Sequence, residues 1–196
     1  MGSVNAQTAY DYAVNQYSQA RKLIAEVCQK AGRVRIFPTD DMLKHYDVVL
    51  QAILFRTSIA DYKIYGNEKI FMETITDSMD LLFLINNLAG TKFTWDMLTN
   101  MSPEQLVEFN KALNSITSGV AALLVEPFAC LDHLNKNEQA IHNLVSLTED
   151  IVIALIAVDG DAAESADAKR EKQIGNSGLI ELLIEPWKKE MNRLGK

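Results

Sequence analysis

Apolar residues recur at helical spacing through most of the chain, and no stretch alternates polar and apolar positions for long enough to form a strand. Tyr10, Val14, Tyr17, Ile24 and Cys28 line one face of a long amphipathic helix. It runs from a cap at Ser3 to Ala31, and Gly32 stands where helices commonly close on a left-handed residue. Pro38 breaks the pattern, since it lacks a backbone donor and disfavours helix at Phe37. Thr39, Asp40 and Asp41 then supply a cap and two charges favourable at a helix start. The next helix, about Asp40 to Asp61, carries VVLQAILF at its middle and is apolar on nearly every side, so other helices should surround it. Gln51 and Arg56 interrupt it. A buried arginine would need a carboxylate partner, and the simpler expectation is that Arg56 reaches the surface along its aliphatic stem.

Asn67 to Ala89 reads as one helix or as two, with Asp77 capping the second and Gly90 closing it. Thr94 to Leu98 predicts a short helix. Ser102, Pro103 and Gln105 form a start signal with a cap, a first-turn proline and a capping-box partner. The helix from Pro103 is expected to end or bend near Gly119, followed by a helix over Ala121 to Leu134, a polar turn at Asn135 to Asn137 and a helix to Val158. From Asp161 to Gly178 only Ile174 is a large apolar residue, which predicts an exposed helix or a loosely held segment. A last helix covers about Ser177 to Arg193. The fold class is therefore all-α, a bundle of about seven to nine helices in a single domain spanning residues 1–196.

Two stretches look alike. Asp47 to Glu68, DVVLQAILFRTSIADYKIYGNE, is an apolar helix that halts at an aspartate and restarts at a glutamate. Leu147 to Ser165, LTEDIVIALIAVDGDAAES, is a weaker copy, so the bundle reads as an internal duplication with pseudo-repeats centred on 40–90 and 137–195. A second echo pairs LLVEPF, Leu123 to Phe128, with LLIEPW, Leu182 to Trp187. Proline inside a helix forces a bend or a new start, so the echo predicts two matching kinks with Phe128 and Trp187 in equivalent pockets and Glu126 and Glu185 near a polar notch. Packing explains this pattern more simply than chemistry does.

Composition narrows the function. The formal charge of -7 is spread without a basic stripe, so nucleic acid is not an expected partner. Cys28 and Cys130 have no CxxC spacing and are too few to staple 196 residues, which fits small core residues in a reducing, cytoplasmic setting. The longest unbroken apolar runs, such as Ile151 to Val158, fall short of the ~20 residues of a membrane span, and the amino end has polar residues where a signal peptide needs apolar ones. His45, His133 and His142 are the only histidines, and neither a di-iron nor a zinc-protease spacing is present. No nucleophile elbow, phosphate loop or dinucleotide fingerprint occurs. DGDAAES is not a calcium loop, because Gly160 stands second where an EF-hand needs glycine sixth.

Carboxylates at the end of an apolar helix suit a hard cation such as Ca²⁺ or Mg²⁺, because the last carbonyls there lack partners and carry the negative end of the helix dipole. Asp61 and Glu68 form the first such set, and Asp159, Asp161 and Glu164 the second. The structural alternative is that Gly66 and Gly160 relieve tight turns and Asn67 or Asp161 caps the next helix.

The run Ile59-Ala60-Asp61-Tyr62-Lys63-Ile64-Tyr65-Gly66-Asn67-Glu68 resembles the repeated signature of TerB-like tellurite-resistance proteins: an apolar helix, Asp-Gly-x-Ile, then Glu seven residues after the Asp. Asp61, Ile64 and Glu68 match, with Tyr62 in place of glycine. The second copy has Asp159 and Gly160, but Ala166 stands where the glutamate belongs and Glu164 comes two residues early. PEQLVEFNKAL, Pro103 to Leu113, is similar to the family's middle helix. The resemblance covers a minority of the chain. It implies a bacterial, cytoplasmic helical module of stress or metal-resistance systems, with acidic residues that bind a metal and no established catalysis.

The leading expectation is thus a non-enzymatic interaction or scaffold protein holding a divalent cation at Asp61, Glu68, Asp159, Asp161 and Glu164. The rival is a small-molecule-binding or enzymatic bundle with its pocket between the Pro127 and Pro186 helices, walled by Glu126, Glu185 and Trp187. A third is a protein partner or homo-oligomer that uses Met42, Met72 and Met79 beside Phe71 as an adaptable surface.

Overall fold

The computed structural model describes residues 6–61, 64, 66–76, 86, 94–158 and 165–195. Among them every regular element is helical: α1 (Ala6–Ala31), α2 (Thr39–Ser58), a 3₁₀ turn (Ile59–Asp61), α3 (Gly66–Ile75), α4 (Trp95–Thr99), α5 (Pro103–Asn135), α6 (Gln139–Val158), α7 (Ala166–Leu179), a π turn (Ile180–Ile184) and α8 (Glu185–Leu194). The expected all-α bundle is what forms. The expected cap at Ser3 and the second half of the Asn67 to Ala89 segment lie outside the described residues.

The middle helix occupies the place its composition demands. Residues 46–58 of α2 are all buried, with Val49, Leu50, Ile53, Leu54 and Phe55 wholly enclosed. Around it the long helices interlock. Helix α1 packs mainly on α6, α5 packs on both α8 and α2, α3 lies against α1, α2 and α6, and α7 lies against α2 and α6. The helix frames also agree: α2 and α6 each span 20 residues, and Ser58 to Gly66 is the same separation as Val158 to Ala166.

Several boundaries differ from expectation. Helix α5 runs unbroken through Gly119 and Pro127, because Gly119 sits on the exposed face and each side of the helix has a long partner. A single glycine costs only about 1 kcal/mol in a helix, less than the packing returns. At the second proline the helix adapts differently. The π turn before Glu185 supplies a widened turn, and Pro186 enters the first turn of α8, where its missing donor matters least. Gly32 does not close α1 in a left-handed conformation; there a Cβ would stand 3.1 Å from the Cys28 carbonyl oxygen. The expected capping box is present: Ser102 Oγ accepts from the Gln105 amide at 3.3 Å and Gln105 Oε1 accepts from the Ser102 amide at 2.8 Å. Both cysteines are free and buried, and burial pushes the Cys28 thiol up to about 11, which keeps it protonated and inert.

Of the two expectations for this segment, the exposed helix is what its described part forms: α7 is capped by Ser165, whose hydroxyl accepts from the Ala168 amide, and most of its charged side chains face solvent. It buries Ala168, Glu171, Gly175 and Gly178. With few large side chains, it approaches α2 and α6 through backbone, so its glycines take the role that leucines have elsewhere. Helices α5 and α6 are each long and apolar enough to cross a membrane by length and composition, although unbroken apolar runs did not suggest it. About half of each apolar window, 50% and 44%, is buried against neighbouring helices.

At Gly175 a Cβ would stand 2.7 Å from Val152 Cγ1 and 3.1 Å from Thr57 Oγ1, two stiff, buried, β-branched side chains, whereas at Gly178 the nearest atoms, on Ile53, are at ordinary contact distance. Gly175→Ala should therefore destabilise the protein by about 1–3 kcal/mol despite its better helix propensity, and Gly178→Ala should be neutral or stabilising by up to about 1 kcal/mol. Thermal unfolding of the two variants checks the contrast.

Candidate functional site

The acidic junctions come first. Asp61 closes the 3₁₀ turn after α2. Its side chain, and Asp159, Asp161 and Glu164, lie outside the described residues. Glu68 stands in the first turn of α3 and is buried, only 2% exposed, so this carboxylate is held inward at the junction. Among the described residues, no three His, Cys, Asp or Glu side chains converge as a metal site.

The perturbed charges that are described join helices. Tyr17 and Arg21, one turn apart on α1, meet Asp47 of α2. Tyr17 donates to Asp47 Oδ1 at 2.6 Å, and Arg21 Nη1 donates to the two carboxylate oxygens at 2.9 and 2.8 Å and to the Tyr17 oxygen at 2.9 Å. Burial, then the hydrogen bond and charge of Asp47, drive the Tyr17 phenol far above its ordinary range. Tyr46, fully buried, stacks on Tyr17 with 6.2 Å between ring centroids and shares a 3.2 Å hydrogen bond with Thr148 of α6. Three helices meet at this point. Sequence reasoning missed the cluster, although Tyr17 and Arg21 at i and i+4 beside an aspartate early in an apolar helix were a usable signal.

A second buried carboxylate, Asp132 near the end of α5, reaches across the hairpin to α6. Its Oδ1 accepts from the Ala140 amide at 2.9 Å and its Oδ2 from the Ile141 amide at 3.1 Å, satisfying two donors that a helix start leaves open. Lys136 makes the turn in a left-handed conformation, φ 53°. Burial raises the Asp132 carboxyl above the ordinary value; the two amides, the Trp187 indole and His142 act against that rise without cancelling it. The indole N–H lies near enough to favour the charge but outside hydrogen-bonding geometry. His142 pairs with Glu138 at 3.2 Å, and burial lowers the pKa of His45, whose Nδ1 is enclosed.

The paired Glu-Pro-aromatic motifs serve packing. Phe128 and Trp187 are both in the core, as the echo predicts, but Glu126 pairs with Arg35 at 2.7 Å and Glu185 is exposed, so the two glutamates do not share a notch. The methionine surface is corrected too. Met42, Met72 and Phe71 are buried in the core, because α3 folds back onto α1, α2 and α6; Met79 lies outside the described residues.

Arg56 departs most from expectation. Rather than reaching solvent, its side chain is 9% exposed, and Nη2 donates to Glu181 of the π turn at 2.8 Å. Its Nε and Nη1 are enclosed and make no hydrogen bond. Beside it a cleft of about 180 Å³ opens between the end of α2, α5 and α7. Lys111, Asn110 and Arg170 contribute polar walls; Ile59, Leu106, Val107 and Ile174 contribute apolar ones. A shallower groove of about 440 Å³ runs between α1 and α6, past Lys22, Glu26 and Asn143.

Asp132→Ala should cost about 1–3 kcal/mol by stripping two buried amides of their acceptor, and Asp132→Asn less, since one acceptor remains. The raised carboxyl also sets a pH slope. Above the ordinary 3.8 and below the folded-state value, the native protein holds a proton that the unfolded chain has released. This group's stabilising contribution is therefore complete below about 3.8 and is lost as pH rises through the folded value, and Asp132→Asn should flatten that part of the stability profile in denaturant titrations. No family model matches the chain, and neither a curated protein nor a solved structure matches it significantly.

Proposed function

We propose that this chain is a non-enzymatic helical interaction or scaffold protein of TerB-like type that takes a divalent cation at the junction after α2. The reading is carried by where its buried charge goes. Asp47 and Asp132 each tie one helix to another and Glu126 is engaged by Arg35, so these groups hold an interlocked frame together instead of gathering around a reacting centre. The cation reading draws on Glu68, a carboxylate turned inward at the start of α3, seven residues beyond the acid that ends the 3₁₀ turn. Carboxylate and carbonyl oxygens at a helix end are the hard donors that Ca²⁺ or Mg²⁺ prefers. The equal lengths of α2 and α6, the equal separation of each from the helix that follows it, and the packing of α1 on α6 and α5 on α2 support the duplicated arrangement that the resemblance implies.

Calorimetric titration with Ca²⁺, Mg²⁺ and Zn²⁺ tests the cation. The native protein should bind a hard cation saturably, and Glu68→Gln combined with Asp61→Asn should weaken binding at least about ten-fold, as loss of charged ligands at a hard-cation site does. Heat no greater than dilution with the native protein removes the metal reading and leaves the frame.

A further inference from the structure

We propose that the outward face of α5 is an interface with a second copy of this chain, two α5 helices packing antiparallel about a two-fold axis between Ser118 and Gly119. The proposal deepens the interaction reading by naming the partner and rests on none of the cation argument, so either can fail alone.

The first observation is what the face lacks. The outward positions of a surface helix are where charge ordinarily collects, as Asp11, Lys22 and Glu26 do on α1. Between Lys111 and Glu126, α5 has no charged residue, in a chain of which 23% is charged. Its exposed positions there are Ala112, Ser115, Ser118, Gly119, Ala122 and Leu123. Spaced by three and four residues, they make one continuous uncharged stripe about three turns long.

The glycine on that stripe has no use inside one chain. Gly119 lies in the interior of α5, and a Cβ added to it would meet nothing within 4 Å. Glycine weakens a helix at such a position, and here no neighbour gains from the missing side chain. Close approach of a second backbone supplies the missing reason, since small side chains let two helix axes come to about 8 Å.

Charge sets the direction of the pair. The stripe ends in Lys111 on one side and Glu126 on the other. An antiparallel pair lays Ser118 of one copy on Gly119 of the other, Ser115 on Ala122 and Lys111 on Glu126, every contact made twice as two-fold symmetry requires. A parallel pair would set Lys111 against itself. The bonds these groups already make are kept: Glu108 takes one of the three ammonium donors of Lys111, and Arg35 bonds Oε2 of Glu126, so the second carboxylate oxygen can accept from the ammonium. Arg35 also brings aliphatic area to this end, because its neighbours Val34 and Ile36 are 58% and 85% exposed. In the pair that shoulder comes toward the exposed Val107 end of the other α5. A helix pair with this shoulder buries about 1,000 Å² in total, the small end of specific interfaces, which predicts a weak, exchanging dimer.

Sedimentation of the full chain at concentrations from about 1 μM to about 1 mM should show reversible dimerisation. Ser118→Arg, exposed and set against itself across the axis, should weaken the dimer at least about ten-fold and leave thermal unfolding of the dilute monomer unchanged. Lys111→Glu should weaken it about three-fold or more, and most at low salt. Under mild oxidation a mixture of Ser115→Cys and Ala122→Cys chains should cross-link several-fold more than either variant alone, because the antiparallel register brings those two positions together; Cys28 and Cys130 are buried and stay out of the reaction. A strict monomer at about 1 mM overturns the proposal, whether the face then takes a bilayer or an unrelated protein. So does a dimer that Ser118→Arg leaves intact, or cross-linking that is strongest for Ser115→Cys alone, the mark of a parallel pair.

Discussion

The structure depends on one helix having no face left for water. Over residues 46–58 of α2 every side chain is buried, including Asp47, Gln51, Arg56, Thr57 and Ser58. Apolar burial of this extent drives assembly, at about 25 cal/mol per Å², but the polar members must be met by partners on other helices or they oppose it. Asp47 therefore recruits Arg21 and Tyr17 from α1, Gln51 bonds Thr76 at 2.6 Å beyond the end of α3, and Thr57 returns its hydroxyl to the Ile53 carbonyl. The contacts of Asp47 and Gln51 reach other elements and fix how they turn toward α2, whereas Thr57 is satisfied within α2 itself.

Enclosing such a rod takes partners from both ends of the chain. Helix α5 comes from the second half and α1 from the first, and α7 seals the remaining side through Gly175 and Gly178. The reciprocal arrangement around α6 follows the same logic, though α6 is less completely covered: Ile153 is 42% exposed. Arg56 is the place where this enclosure stays incomplete in its bonding. Its one carboxylate partner arrives from the π turn, and the cleft beside it collects two further cations in a protein whose overall charge is negative.

Local chemistry was legible wherever neighbours in sequence are also neighbours in space. The Ser102 and Gln105 capping box, the turn near Lys136, the burial of both cysteines and the enclosure of the Asp40 to Asp61 helix all follow from propensity, capping and periodicity, and all are present. At Pro186 the new start open to a proline is what forms, whereas the end expected near Gly119 did not, nor did Pro127 divide its helix. A breaker is a local penalty of a few kcal/mol at most, and helices 33 residues long with partners along both sides recover more than that from packing. In the described part of Asp161 to Gly178 the exposed helix was legible, but counting large apolar side chains overlooks the face of α7 that packs through glycine.

The amino-acid sequence by itself determined the class, several of the helix starts and the identity of the central rod, because helical periodicity and caps are properties of adjacent residues. Only the tertiary structure decided that Asp47 meets Arg21 and Tyr17, that Asp132 caps the following helix, that Arg56 turns inward to Glu181, and that Met42, Met72 and Phe71 are core and not surface. Those outcomes turn on the rotation of one helix about its axis against another, a few tens of degrees that move a side chain from solvent to interior, and the information that sets that angle is spread across both halves of the chain.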